Sequence, residues 1–340
     1  MGGQGSTPGG VKGEAGKADN GGGGLATSGS GGTTEPTPTS GSGGVLSQAG
    51  AEPGAAAGAG GEPVSSGAGG EGGTPEVTDD CPDDPDKLAP GVCGCGLPEA
   101  ASATLASCKT LISKLIHRYD FEGSGTTVVD RVGASDGVIA NGGSLSKLAG
   151  RGVVQLAGGT NGAYVDLPNG LISALTSVSL EAWITWGGGN NFQRVFDFGT
   201  SDHATPENNP KLGTTYLFVS PKTSSGAVTF GYSLTGAGQE QLVAGSSALP
   251  QVLSQIVAVA DGSGDAMTLY VNGVQAGTRA WTGALASISD VNVWLGRSQY
   301  SADPELTAVY HEFRMYGAAL SATEVATAYK AGTDPSFMPK

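Results

Sequence analysis

The sequence predicts an all-β sandwich over residues 109–335, reached through a cysteine-rich segment and a long unstructured lead. Two observations carry the fold class. Beyond Lys109, short apolar runs alternate with clusters of Gly, Asn, Ser and Asp, the pattern of many short strands joined by turns. Nothing in that stretch resembles the regular alternation of strands and helices that builds a parallel α/β sheet.

Residues 1–78 are dominated by Gly, Ser, Thr, Ala and Pro, with runs such as Gly21-Gly22-Gly23-Gly24. Such a chain has little to bury and cannot offset about 1–2 kcal/mol per residue of ordering cost, so it is expected to be a disordered tether. Residues 1–108 hold 13 acidic and 3 basic side chains, a balance of −10; residues 109–340 hold 18 and 14, a balance of −4, and together they give the chain's −14. An acidic tether on a near-neutral domain, with no Lys/Arg cluster, excludes a nucleic-acid footprint. No apolar run approaches the roughly 20 residues of a membrane span. Met1-Gly2-Gly3 leads straight into the low-complexity tract without a signal peptide. A match to the N-myristoylation pattern at Met1-Gly2-Gly3-Gln4-Gly5-Ser6 is cheap in such a tract. A true start or a lipid-attachment cysteine is expected upstream of this Met1.

The four cysteines, Cys81, Cys93, Cys95 and Cys108, fall within residues 79–108. An even number in a short Pro- and Gly-rich stretch points to disulfides in an oxidising compartment. Cys93 and Cys95 are too close in sequence for a relaxed mutual bond, which leaves Cys81 joined to one of them and Cys108 to the other. Zinc is the rival, but Cys93-Gly94-Cys95 lacks the usual ligand spacing. The acidic run Asp79-Asp80-Cys81-Pro82-Asp83-Asp84-Pro85-Asp86 resembles the cysteine-bearing end of a thrombospondin type 3 calcium repeat, without the full carboxylate ladder of that family.

Strands are expected at 153–156, 179–186, 194–198, 216–219, 228–232, 255–260, 267–271, 291–295 and 310–316. Asn272-Gly273 between Val271 and Val274 is a type I′ hairpin signal, since both residues tolerate positive φ. One helix closes the chain: Ser321-Ala322-Thr323-Glu324 is a capping box, Val325, Ala328 and Tyr329 follow at helical spacing, and Gly332 supplies the stop. This helix is expected near an edge or end of the sandwich.

Five motifs, in order, resemble the laminin-G-like, concanavalin A-type jelly roll. They are Tyr119-Asp120-Phe121-Glu122-Gly123 with Val129-Asp130; Ser179-Leu180-Glu181-Ala182-Trp183-Ile184; Leu269-Tyr270-Val271-Asn272-Gly273; Trp294-Leu295-Gly296-Arg297-Ser298; and His311-Glu312-Phe313-Arg314-Met315-Tyr316 with Ala319-Leu320-Ser321. The resemblance spans residues 117–332, and with its cysteine-rich lead the chain is similar to secreted or surface proteins of myxobacteria. It implies a non-catalytic binding module at the bacterial cell surface, taking a glycan or, alternatively, a surface protein. It also implies a structural calcium ion at the rim on Glu122, Asp130, Asp136 and Glu312, although His311 stands where relatives often carry Asp. The alternative is that these acids hydrogen-bond turns and pair with Arg118 or Arg314.

Catalytic patterns are sparse. A glycosidase needs two carboxylates on one face, and the acidic i, i+2 pairs after the cysteines are Asp120/Glu122 and Asp303/Glu305. The first lies at a strand end, and the second reads as a turn around Pro304. His117, His203 and His311 have no Gly-x-Ser-x-Gly partner, and no phosphate loop is present. Of Trp183, Trp186, Trp281 and Trp294, Trp186 beside Gly187-Gly188-Gly189-Asn190-Asn191 is the expected rim residue for ligand contact.

Overall fold

The computed structural model describes residues 79–82, 87–89, 91–95, 102–201, 212–333 and 336. The expected tether over 1–78, residues 83–86 of the acidic run and His203 lie outside them.

Two antiparallel sheets face each other. The first runs β14 (Val274–Ala280), β13 (Ala266–Val271), β12 (Ser254–Asp261), β7 (Ser177–Trp186), β16 (Glu305–Tyr316), β5 (Arg151–Gly159) and β4 (Leu145–Leu148), with β1 (Leu115–Tyr119) also pairing with β16. The second runs β11 (Gln241–Ala244), β10 (Thr229–Ser233), β9 (Gly213–Ser220), β8 (Phe196–Ser201), β15 (Asn292–Leu295), β6 (Tyr164–Leu167), β3 (Gly137–Ala140) and β2 (Thr127–Val128). Side-chain alternation along each strand sets the core. Leu180, Ala182 and Ile184 of β7 and Phe313 and Met315 of β16 meet Phe196, Phe198, Leu217, Val219, Val293 and Leu295 from the opposite sheet. Phe313 packs edge-on against Phe196 and Phe198, with ring centroids 6.1 and 6.2 Å away, and so joins the two layers.

The Asn-Gly hairpin forms as expected, with φ of 51° at Asn272 and 75° at Gly273 and Val271 opposite Val274. Gly273 is needed twice over: a Cβ there would also come within 2.9 Å of the Tyr329 ring. The final helix, α2 (Ala322–Ala331), carries its capping box, with Glu324 N–H donating to Ser321 Oγ and Ser321 N–H to Glu324 Oε2. Gly332 ends it at φ 65°.

Two features differ from the sequence reading, and the cysteine pairing it left open is resolved. A second helix, α1 (Ser102–Lys114), crosses the expected boundary at 108/109. It has no acidic first turn to announce it. Its partner is α2: Lys114 Nζ lies 2.6 Å from Glu324 Oε1, and Cys108 and Leu111 share a buried cluster with Val325 and Ala328. That cluster rests on Val257, Val259, Tyr270 and Tyr316, so both helices cover the outer face of the first sheet. The cysteine segment joins the same layer through Cys93. Its disulfides are Cys81–Cys95 and Cys93–Cys108, one of the two pairings left open by spacing. Finally, β16 begins at Glu305, which makes Asp303-Pro304 the approach to a long central strand.

Because that outer face is covered, β7 is buried along nearly its whole length. Its outward positions hold charge. Glu181 accepts from Trp183 Nε1 (2.8 Å), Gln255 Nε2 (2.7 Å), Tyr316 OH (2.6 Å) and Arg314 Nη1 (3.2 Å). Glu312 accepts from Nε of both Arg118 and Arg314 at 2.7 Å.

Candidate functional site

The outer face of the second sheet also carries polar and aromatic side chains, but here a loop covers them. In β9 the core-facing Leu217 and Val219 alternate with Tyr216 and Phe218; in β15, Val293 and Leu295 alternate with Asn292 and Trp294. Residues 296–304, between β15 and β16, cross this face and are pinned to it. Gln299 N–H donates to Asp197 Oδ2 (3.0 Å), Asn292 Nδ2 to Gln299 Oε1 (2.8 Å), and Tyr300 OH pairs with Tyr216 OH (3.0 Å). The Arg297 guanidinium stacks 4.5 Å from the Tyr164 ring and 4.7 Å from Trp294. Arg194 stacks 4.3 Å over Phe218 while reaching Asp197 (3.2 Å) and Asp303 (2.8 Å). These are cation–π contacts reinforced by ion pairs.

Two cavities open beside the 296–304 segment. The larger, about 790 Å³, lies among the β5–β6, β7–β8 and β15–β16 loops and is lined by Asn161, Asn190, Asn191, Arg297, Asp303 and Glu305 among others. The smaller, about 390 Å³, lies over β9, β10 and β11; the two share Phe192, Tyr300 and Asp303. Phe192 is 38% exposed and sits at φ 68°, a conformation a bulky side chain adopts only when its surroundings hold it there. The hold is visible: its N–H donates to Lys222 O (2.8 Å) and its carbonyl accepts from Arg194 Nη1 (2.5 Å). The same arginine therefore orients the aromatic ring and the Asp303 carboxylate.

The carboxylates here resist ionisation. Burial pushes Asp197 up to about 7 against the opposing pull of Arg194, and pushes Glu305 up to about 7 against Arg297. Burial raises Asp303 too. Asp197 Oδ1 and Glu305 Oε2 are buried without a hydrogen-bond partner.

The expected site residues lie elsewhere. Trp186 is a correction: it is 4% exposed, packs in the core, and donates from Nε1 to Gln193 Oε1 (2.7 Å). Gln193 Nε2 in turn donates to the Glu305 carbonyl (3.1 Å), so Trp186 supports the cleft wall from behind. Phe192, absent from the sequence reading, holds the rim position; the Gly- and Asn-rich loop before it was the available signal. Trp183, Trp281 and Trp294 are buried as well.

The structure brings Asp130 and Asp136 together and sets Glu122 and Glu312 on other partners. Asp130 accepts the backbone N–H groups of Arg118, Val132, Gly133 and Ser135 and lies 2.7 Å from His117 Nδ1. Asp136 is brought next to it, accepting from Asp130 N–H (2.8 Å). Glu122 turns to Gly152 N–H (2.7 Å), Lys147 and Arg151, and Glu312 lies buried between two arginines. Among the described residues no group of three His, Cys, Asp or Glu side chains is arranged to hold a metal.

Residues 158–326 match the family profile of the concanavalin A-like lectin/glucanases superfamily, laminin-G type. The folded region is a laminin-G-like domain of that superfamily. No curated protein sequence matches the chain. Among solved structures, the laminin-G-like domain is similar to domain 4 of AbnA, a GH43 extracellular arabinanase from Geobacillus stearothermophilus solved with arabinotriose: TM-score 0.50, 16% identity, 63% of this chain and 97% of that one. It is also similar to botulinum neurotoxin type C, in a structure describing cell entry dependent on two ganglioside molecules (TM-score 0.48, 12% identity, 66% of this chain and 52% of that one). A third likeness is to Trypanosoma rangeli sialidase with the inhibitor DANA (TM-score 0.44, 13% identity, 63% and 32%). The laminin-G-like domain thus spans about half of the toxin chain and a third of the sialidase.

Proposed function

We propose that the domain is an extracellular glycan-binding module and that the cleft beside residues 296–304 is its binding site. The carrying observation is Phe192, an exposed ring held in a strained backbone conformation at the junction of two cavities. Sugar rings present apolar C–H faces with hydroxyls at their edges. A fixed aromatic flanked by Asn161, Asn190, Asn191 and Asp303 offers a stacking surface and paired donors and acceptors for such a ligand. The arabinotriose on the arabinanase domain agrees with this use of the fold. Two disulfides agree with an oxidising, extracellular setting. A glycan array, with retention on insoluble polysaccharides, tests the reading using the full chain and Phe192→Ala. Binding that falls at least about tenfold in the variant, the loss of one stacking contact, is expected. Absence of any signal above an unrelated sandwich overturns the proposal.

One observation favours a second reading, hydrolysis. Asp303 and Glu305 face the same cleft, and Glu305, pushed to about 7, has the property of a general acid. Against it, each carboxylate is already paired with an arginine. Release of reducing sugar from bound oligosaccharides, lost in Glu305→Gln, would establish hydrolysis; we expect none.

A further inference from the structure

The cleft carries more negative than positive charge. Around the 296–304 segment stand four carboxylates, Asp197, Glu240, Asp303 and Glu305, and two guanidiniums, Arg194 and Arg297. Both arginines are already engaged by neighbouring side chains. Arg194 is held between Asp197 and Asp303 with its face on Phe218, and Arg297 is sandwiched against Tyr164 and Trp294 with Nε 3.8 Å from Glu305 Oε1. No lysine lines either cavity.

Glu305 has capacity left. Its side chain is 12% exposed and lines the larger cavity; Oε1 faces Arg297, while Oε2 has no donor. The terminal torsion of a glutamate is soft, so a small rotation presents Oε2 to the cavity. Burial has lifted both Glu305 and Asp303 against the pull of Arg297 and Arg194, so a further cation in the cavity would favour their ionised forms.

We infer that the ligand supplies this cation: the cleft takes a glycan bearing a free amino group, its ammonium on Glu305 and Asp303 and a sugar ring against Phe192. The inference rests on the glycan reading above. An ammonium offers three N–H donors and a charge, matching the unpartnered oxygen on Glu305 once it turns toward the cavity. N-acetylation removes the charge and leaves a single N–H, so the acetylated sugar loses the interaction while keeping its ring face.

Calorimetry on the full chain with β-1,4-linked oligomers of glucosamine, N-acetylglucosamine and glucose, at low and high salt, tests it. The glucosamine oligomer is expected to bind about tenfold tighter than the other two, the worth of one charge-assisted hydrogen bond. That advantage should shrink at high salt and vanish in Glu305→Gln, whose melting curve verifies its fold, while binding of the neutral oligomers persists. Phe192→Ala should weaken all three. Equal affinities, or a preference that survives Glu305→Gln, overturn the amine inference; if the neutral oligomers still bind and still depend on Phe192, the glycan reading stands without it. Failure of all three to bind also overturns the amine inference, and the array then decides the glycan reading.

Discussion

Both sheets carry charge on the face turned away from the core, but they close it off in opposite ways. On the first sheet, two carboxylates, Glu181 and Glu312, meet two guanidiniums, Arg118 and Arg314, under a lid of two helices and a disulfide-pinned segment. All four side chains are at most 1% exposed. On the second sheet, four carboxylates meet two guanidiniums under a single loop, and that loop leaves two cavities open beside it. The first layer matches charge for charge and is sealed, although Arg118 Nη1 and Nη2 and Glu312 Oε2 have no hydrogen-bond partner there. The second is unbalanced and open. Carboxylates in excess of their cations are costly to ionise when buried, and burial accordingly lifts Asp197 and Glu305 to about 7.

The largest expected effect breaks the first layer. Arg314→Met leaves Glu181 and Glu312 short of a cation and is expected to cost about 3–5 kcal/mol, read from urea unfolding midpoints, with glycan affinity of the folded fraction unchanged. A loss below about 1 kcal/mol would mean this layer is no more structural than a surface pair. Next comes its lid. Converting Cys93 and Cys108 together to Ser opens a loop of 15-residue separation, expected to cost about 3 kcal/mol. Faster amide exchange in α1 should accompany it, with the second sheet unaffected.

The second layer answers to pH. The folded chain holds protons on Glu305 and Asp197 that the unfolded chain releases near the ordinary carboxylate range. Their contribution to stability is therefore greatest at low pH and falls as pH rises toward about 7. Glu305→Gln should remove on the order of 2 kcal/mol of that decline; an unchanged slope between wild type and variant would refute the assignment. Asp130 runs the other way: against the opposing effect of burial, hydrogen bonds from His117 and backbone N–H groups together hold its carboxyl low, so its support is lost as pH falls through the folded value. The smallest effect concerns calcium. Since the four rim carboxylates are already engaged, chelation is expected to leave the melting temperature unchanged, and a clear drop would restore the ion to the rim.

Local chemistry was legible in the chain and coverage was not. Asn272-Gly273, Ser321 with Glu324, and the cysteine spacing each specify a conformation within a few residues, and each appears as read. Helix α1 escaped because what holds it, Cys93 and α2, lies far from it in sequence or on a different element. Trp186 and Phe192 illustrate the same limit at the site. Both flank one Gly/Asn loop, and only the three-dimensional path puts the tryptophan inward and the phenylalanine out. Asp303-Pro304-Glu305 read as a turn because proline dominates its local pattern. The cleft it lines is assembled from three loops that no spacing rule connects.

The disulfide arrangement also has a mechanical meaning. From Cys81 the covalent path can cross to Cys95, run through Gly94 to Cys93, and cross again to Cys108. Tension applied upstream of Cys81 bypasses the long way round through residues 82–92 and 96–107, and arrives in α1. From there it passes to β1, which is zipped to the central strand β16. A drag force on the module would load its middle rather than peel it from an edge.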